Sequence, residues 1–249
     1  MKRSLLLITV LAAGILIAQA DPVSQFDEGL VQYRSDNWEQ AVAIWEQILA
    51  QGDESGALHY NLGNAYYRLH ELGKAVLEYE RASRLTPRDD DVRQNLEFVR
   101  LRVIDRVEEP LRLSIWETAD RIRDSVTIRE LSLALLVTGL LVTVLLGLRW
   151  YGPVRIRRVV HPLLVGAIAV YVIGGAWYGW RSALDSQPWA IVMAEKTSVH
   201  SGPDETSTEL FALHEGTRVA IDEELSVWMR VRLADGRMGW MMQTDLEEI

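Results

Sequence analysis

Gly29, Ala41 and Trp45 recur 34 residues later as Gly63, Ala75 and Tyr79. The same offset relates Tyr33 to Tyr67 and Ile48 to Ala82, and Asn95 with Leu96 stands one period beyond Asn61 with Leu62. A fixed period of this length calls for stacked helix pairs, each too small to bury its apolar face alone. The fuller copy runs through Leu62, Gly63, Tyr66, Ala75, Tyr79, Ala82 and Pro87. Gly63 and Ala75 are small where the two helices of a pair approach. Tyr79 and Ala82 are expected to pack between neighbouring repeats, and Pro87 to stop the second helix. The first copy, Phe26 to Leu49, diverges, with Glu28 in place of Leu, Ile48 in place of a small residue and Asp53 in place of Pro. After Pro87, Asp89, Asp90 and Asp91 put negative charge where a helix N-terminus favours it. The helix that follows from Val92 keeps Leu96 but has Glu97 in place of Gly, and reads as a cap closing the array.

Three apolar runs account for the rest of the layout. In the first, Lys2 and Arg3 precede Leu5 to Ile17, and Ala18, Gln19 and Ala20 follow before Asp21. A basic start, a short apolar stretch and an Ala-x-Ala site describe a secretory signal peptide cleaved after residue 20. The second and third runs, Leu131–Leu148 and Leu163–Trp180, carry no charge over 18 residues each. At 1.5 Å per residue each reaches roughly 27 Å, the order of a bilayer's hydrocarbon core. Gly166, Gly174, Gly175 and Gly179 suit the third run to packing as a hairpin against the second. Arg149, Arg155, Arg157 and Arg158 lie between the runs without acidic partners in sequence. The positive-inside rule then sets that link in the cytoplasm and both termini outside. Trp150 and Tyr151 at one boundary, with Trp177, Tyr178 and Trp180 at the other, fit interfacial belts. The connector before the hairpin, broken at Pro110, fits either an amphipathic helix at the membrane surface or a helix packed on the repeats.

The tail changes character. Short strand-like runs occur at Ala190–Met193, Leu210–Leu213, Arg218–Ile221, Trp228–Leu233 and Gly239–Met242. Turn signals at Gly202-Pro203, Glu215-Gly216 and Asp235-Gly236 separate them, which reads as a five-stranded barrel.

These motifs carry three resemblances. The 34-residue pattern resembles the tetratricopeptide repeat (TPR), whose arrays hold partner proteins or peptides. The tail, through Ser198, Gly202, Pro203, Glu215, Gly216, Thr217, Trp228, Val231, Asp235, Gly236, Gly239 and Trp240, resembles a bacterial SH3 domain. The order of modules, with Ala190–Met193, Leu213–Thr217 and Val231–Arg237, resembles the BatE-type proteins of the aerotolerance (Bat) family. That resemblance implies an inner-membrane component working beside other Bat membrane proteins in oxygen tolerance or envelope stress. The expected fold is multidomain: a signal peptide at 1–20, an α-helical TPR solenoid at 21–102, an amphipathic connector at 103–129, transmembrane helices at 130–149 and 162–181 joined by a cytoplasmic loop at 150–161, and a small all-β SH3-like barrel at 188–249.

Function follows from what the residues offer. The five histidines show no metal-ligand spacing, no Gly-rich phosphate loop occurs, and no serine lies in a nucleophile elbow, so no enzyme and no cofactor is expected. A net charge of −9 disfavours nucleic acid. The array's concave side is expected to present Phe26, Leu30, Tyr33 and Arg34 from the first repeat and Tyr60, Asn64, Tyr67 and Arg68 from the second. Aromatics with Asn and Arg suit an extended partner segment, through its backbone amides and a carboxylate. Packing between repeats is the competing role for the tyrosines. Trp228 and Trp240 are expected in the core or at the rim of the tail domain, with a surface role as the alternative. From residue 181 onward the chain has six basic and thirteen acidic residues, which favours a neutral or basic protein surface over anionic lipid. A scaffold holding Bat partners and a cell-wall sensor binding peptidoglycan peptide are the two functions that fit.

Overall fold

The computed structural model describes residues 21–107, 126–185 and 187–249. The expected signal peptide and most of the connector lie outside these residues. Five helices come first: α1 (Pro22–Arg34), α2 (Trp38–Ala50), α3 (Gly56–Arg68), α4 (Leu72–Leu85) and α5 (Asp90–Arg100). Three of the starts have a local cause. Pro22 sits at the first turn of α1, where its missing N–H costs nothing. Ser55 Oγ accepts from Leu58 N–H at 3.2 Å to cap α3, and Asp89 caps α5 through the N–H groups of Asp91 and Val92.

The 34-residue period is a packing rule. A Cβ placed on Gly29 would lie 2.2 Å from Trp45 Nε1, and one on Gly63 would lie 2.9 Å from the Tyr79 ring. In both repeats the glycine is the seat for the aromatic ring of the second helix. Tyr79 therefore packs within its own helix pair, on Gly63 and Tyr60, and reaches Asn95 of α5 as well. Ala41 and Ala75 are completely buried behind these rings. The turns inside the pairs repeat too: Asp36 and His70, 34 residues apart, both adopt positive φ, at 59° and 64°. Their N–H groups donate to Tyr33 and Tyr67 carbonyls at 3.1 and 3.2 Å, and the next residues, Asn37 and Glu71, donate to Gln32 and Tyr66. The divergent first copy thus folds like the second. Helix α5 packs on α4 and buries Val92, Leu96 and Val99.

The tail is one seven-stranded antiparallel sheet: β1 (Trp189–Val192), β2 (Lys196–His200), β3 (Glu209–His214), β4 (Arg218–Leu225), β5 (Trp228–Arg232), β6 (Met238–Met242) and β7 (Leu246–Glu248). Their order is β3-β2-β6-β5-β4-β1-β7. Two strands, β2 and β7, are additional to the five expected: β2 is polar and β7 is three residues long. The edge strands β3 and β7 do not pair with each other, so the sheet is not a closed barrel. Irregular register at Val199–His200 and Ile221–Glu223 bends it, and its own core gathers Val199, Leu213, Val219, Met229, Val231 and Met241.

Sheet and repeats share an interface. Strand alternation sends Ala190 and Val192 into the sheet's core and Ile191 into the core of the repeats, where Met193 and Ile249 also pack. This explains why β1 is an unbroken apolar run. Polar ties flank it: Gly73 N–H donates to Glu215 at 3.1 Å, Arg81 donates to Glu247 at 3.1 Å, and Arg84 donates to the Ile249 carbonyl at 2.6 Å. Asp105 accepts from the N–H of His214 at 2.6 Å and from Thr217 Oγ1 at 2.7 Å.

Helices α6 (Ile128–Tyr151) and α7 (Val154–Asp185) form the hairpin, and both are long and apolar enough to cross a membrane. Thr127 and Glu130 make a reciprocal cap at the start of α6, and Arg88 bonds the same Glu130 at 2.9 Å. The arginine-rich segment expected as a loop is helical apart from Gly152 and Pro153. Pro153 suits a helix start, and Arg157 donates to the Gly152 and Trp150 carbonyls at 2.9 and 3.0 Å. Of the glycines expected to bring the two helices together, Gly174 meets Leu135, while Gly166, Gly175 and Gly179 face open space. Gly139 of α6 supplies the other close approach, against Tyr171.

Candidate functional site

The first helix of each pair, with α5, brings the expected groove residues onto neighbouring elements. Tyr33 leans on Trp45 with ring centroids 6.1 Å apart, and Tyr60 on Tyr79 at 6.0 Å. Tyr67 meets Phe98 of α5 edge-on at 5.7 Å. All three tyrosines are half-buried, with one side committed to packing. Burial raises the pKa of Tyr33, against the opposing pull of Arg68, so its hydroxyl stays neutral and able to donate.

Asn64 is tied into the structure. Its Oδ1 accepts from Tyr79 Oη at 2.7 Å and from Asn95 Nδ2 at 3.0 Å, and Asn95 also donates to Tyr60 Oη at 3.2 Å. Asn64 therefore organises the groove floor, which burial alone did not suggest from sequence. Arg68 is exposed, with its guanidinium 4.7 Å above the Trp38 ring and 3.6 Å from Asp36. Arg34 is exposed at the end of α1. Two residues missed from sequence join the site. Phe98 is 46% exposed, and Arg102 lies 4.6 Å over its ring. The period was the available signal, since Arg102 stands 34 residues after Arg68 and Asn95 the same distance after Asn61.

Between α3 and α4 runs a partly buried ionic chain. His59 Nδ1 lies 2.6 Å from Glu78 and its Nε2 lies 3.0 Å from Glu54, while Glu78 also accepts from Arg81 at 2.9 Å. Burial opposes charge on His59, but the bonds to Glu78 and Glu54 outweigh it and raise its pKa. Glu80, also buried, is held by Arg100. This chain runs on through Arg81 to the C-terminal strand.

Residues 56–89 match the family model of the tetratricopeptide repeat. The match covers α3 and α4, the TPR pair with the fuller pattern, and a TPR is a protein-interaction module. No curated protein matches the chain.

In the tail, Trp228 is 9% exposed and meets His200 edge-on at 5.7 Å. Trp240 is half-buried under Arg230, whose guanidinium lies 5.9 Å from its ring, and Arg230 pairs with Glu223 at 3.1 Å. Among the described residues, no cluster of three His, Asp or Glu side chains is placed to hold a metal ion. The sheet's hydrogen bonds to the repeats fall on α4 and Asp105, and none falls on Tyr33, Tyr60, Asn64, Tyr67 or Arg68.

Proposed function

We propose that this chain is a membrane-anchored scaffold that holds partner proteins in its TPR groove. The observation carrying the proposal is that the sheet docks on α4 and leaves Tyr67 and Arg68 to face solvent beside Phe98. The α6–α7 hairpin is the anchor. The arginines at the α6–α7 turn favour a cytoplasmic turn, with repeats and tail outside, in a bacterial inner membrane. On the module order and the tail motifs, the tail is a bacterial SH3-like domain and the partners are other Bat membrane proteins in an aerotolerance or envelope-stress complex. Sequestering Ile191 and Ile249 in the repeats makes the tail a brace for the array.

The test replaces Tyr67 and Arg68 with Ala in the full chain and follows recovery of partners from solubilised membranes. Recovery should fall about tenfold, because a hydrogen bond to a charged group contributes about 1.5–3 kcal/mol. A paired variant, Trp240→Ala, should leave recovery intact. The reverse pattern would move the site to the tail, and binding of the tail to intact sacculi would make the chain a cell-wall sensor.

A further inference from the structure

Arg34, Arg68 and Arg102 are spaced by the repeat period, twice over. Arg34 follows Tyr33 at the end of α1 as Arg68 follows Tyr67 at the end of α3, and Arg102 lies just beyond α5. All three are exposed. We propose that the groove selects acidic extended segments, with these three arginines as successive carboxylate contacts. The proposal rests on the groove being the partner site.

Three observations carry it. First, the cations are local: the chain as a whole is at −9, and α3, the central helix, has no acidic residue. Second, two of them are held in place by rings. Arg68 stacks on Trp38 at 4.7 Å, and Arg102 on Phe98 at 4.6 Å with Tyr67 at 5.8 Å. A stacked guanidinium keeps its donor edges free and loses less freedom on binding. Third, the opposing charge is slight. Asp36 lies 3.6 Å from Arg68, but both side chains are more than half exposed, so the pair is weak and open to exchange.

Helix-end cations also stabilise the helix dipole, which offers a plain reason for Arg34 and Arg68. It does not cover Arg102, since the basic residue in the last turn of α5 is Arg100, already committed to Glu80. An extended chain rises about 3.3 Å per residue, so an acidic residue at every third position offers a carboxylate about every 10 Å along the groove.

The test uses the full chain in detergent micelles and three fluorescein-labelled twelve-residue Gly/Ser peptides carrying Glu, Gln or Lys at every third position. The Glu peptide should bind at least about tenfold more tightly than the Gln peptide, with the difference shrinking as salt rises. Arg34→Gln, Arg68→Gln and Arg102→Gln should each lower Glu-peptide affinity about two- to fivefold. The triple Gln variant should lose the preference without a change in melting temperature, and the triple Lys variant should keep most of it. Equal affinity for the Glu and Gln peptides, a preference for Lys, or a preference that survives the triple Gln variant overturns the proposal and leaves the groove as a binding site. If the triple Gln variant melts early, salt decides: a preference unchanged at high salt overturns the proposal. Failure of all three peptides to bind overturns both the proposal and the groove reading.

Discussion

The repeats and the hairpin are both helical and both rich in apolar residues, yet they solve opposite problems. In the repeats the large side chains are inside: Trp45, Leu62 and Tyr79 are at most 2% exposed, and each aromatic is received by a glycine. In the hairpin they are outside, with Leu136, Leu140 and Val144 each about 60% exposed, and three of the glycines on α7 receive nothing within 4 Å, at positions 166, 175 and 179. The repeats are held by shape, down to a single missing Cβ. The hairpin's outer face asks only for an apolar solvent. An amphipathic surface helix would show an apolar stripe, whereas α6 and α7 are apolar all round, as spans in lipid are.

The largest expected effects follow from moving one kind of change between the two regions. Leu62→Ala should destabilise the repeats by about 2–5 kcal/mol, seen as a lowered melt of the full chain in detergent. Leu140→Lys should leave the melt of the repeats alone and weaken membrane integration by about 2.5–3.5 kcal/mol, read from the membrane-bound fraction. If Leu140→Lys leaves integration unchanged, the exposed face of α6 is not in lipid and the contrast fails.

A smaller effect separates the glycines. Gly63→Ala forces a Cβ to within 2.9 Å of Tyr79 and should cost about 1–3 kcal/mol. Gly175→Ala meets open space and should be neutral or slightly stabilising. Equal costs at the two positions would mean that Gly175 is covered by a partner helix.

Smaller still is the pH response, which belongs to the repeats alone. The pKa of His59 is raised on folding from its ordinary value of 6.5, so its contribution is complete below that value and is lost as pH rises through the folded value. The melt of the repeats should therefore fall as pH rises above 6.5, and His59→Gln should flatten that fall. Asp105 works from the other side. Burial raises its pKa, but its bonds from His214 and Thr217 outweigh this and lower it below 3.8. Its hold on the sheet is complete above that value and is lost as pH falls through the folded value. A melt indifferent to a rise in pH above 6.5 would show that the His59–Glu78 bond does not stabilise the pair.

Much of this was legible in sequence, for particular reasons. Gly29 with Trp45 and Gly63 with Tyr79 are local contacts repeated at a fixed offset, so periodicity exposes them. The hairpin helices declare themselves by length and lack of charge. Outside the third copy of the repeat, what escaped had no period. The contact of Ile191 and Ile249 with the repeats joins positions more than 100 residues apart, and nothing in the run Ala190–Val192 distinguishes a strand buried on both faces by its own sheet from one buried against helices. Strand β2 was hidden because it is short and mostly polar. Asn64 looked like a free ligand group because only the fold brings Tyr79 and Asn95 to its oxygen. Tyr33, Tyr60 and Tyr67 are half-buried and Arg68 is exposed, while Phe98 and Arg102 beside Tyr67 were passed over because the third copy of the period was read as a cap.

The central claim is that the face formed by α1, α3 and α5 holds a protein partner while α4 holds the sheet. A photo-crosslinking residue placed at Arg68, and in a separate variant at Lys74 on α4, tests it in intact membranes. The account expects a discrete adduct from position 68, lost when Tyr67 is replaced by Ala, and no such adduct from position 74. Adducts of equal yield from both positions, or from position 74 alone, would contradict it.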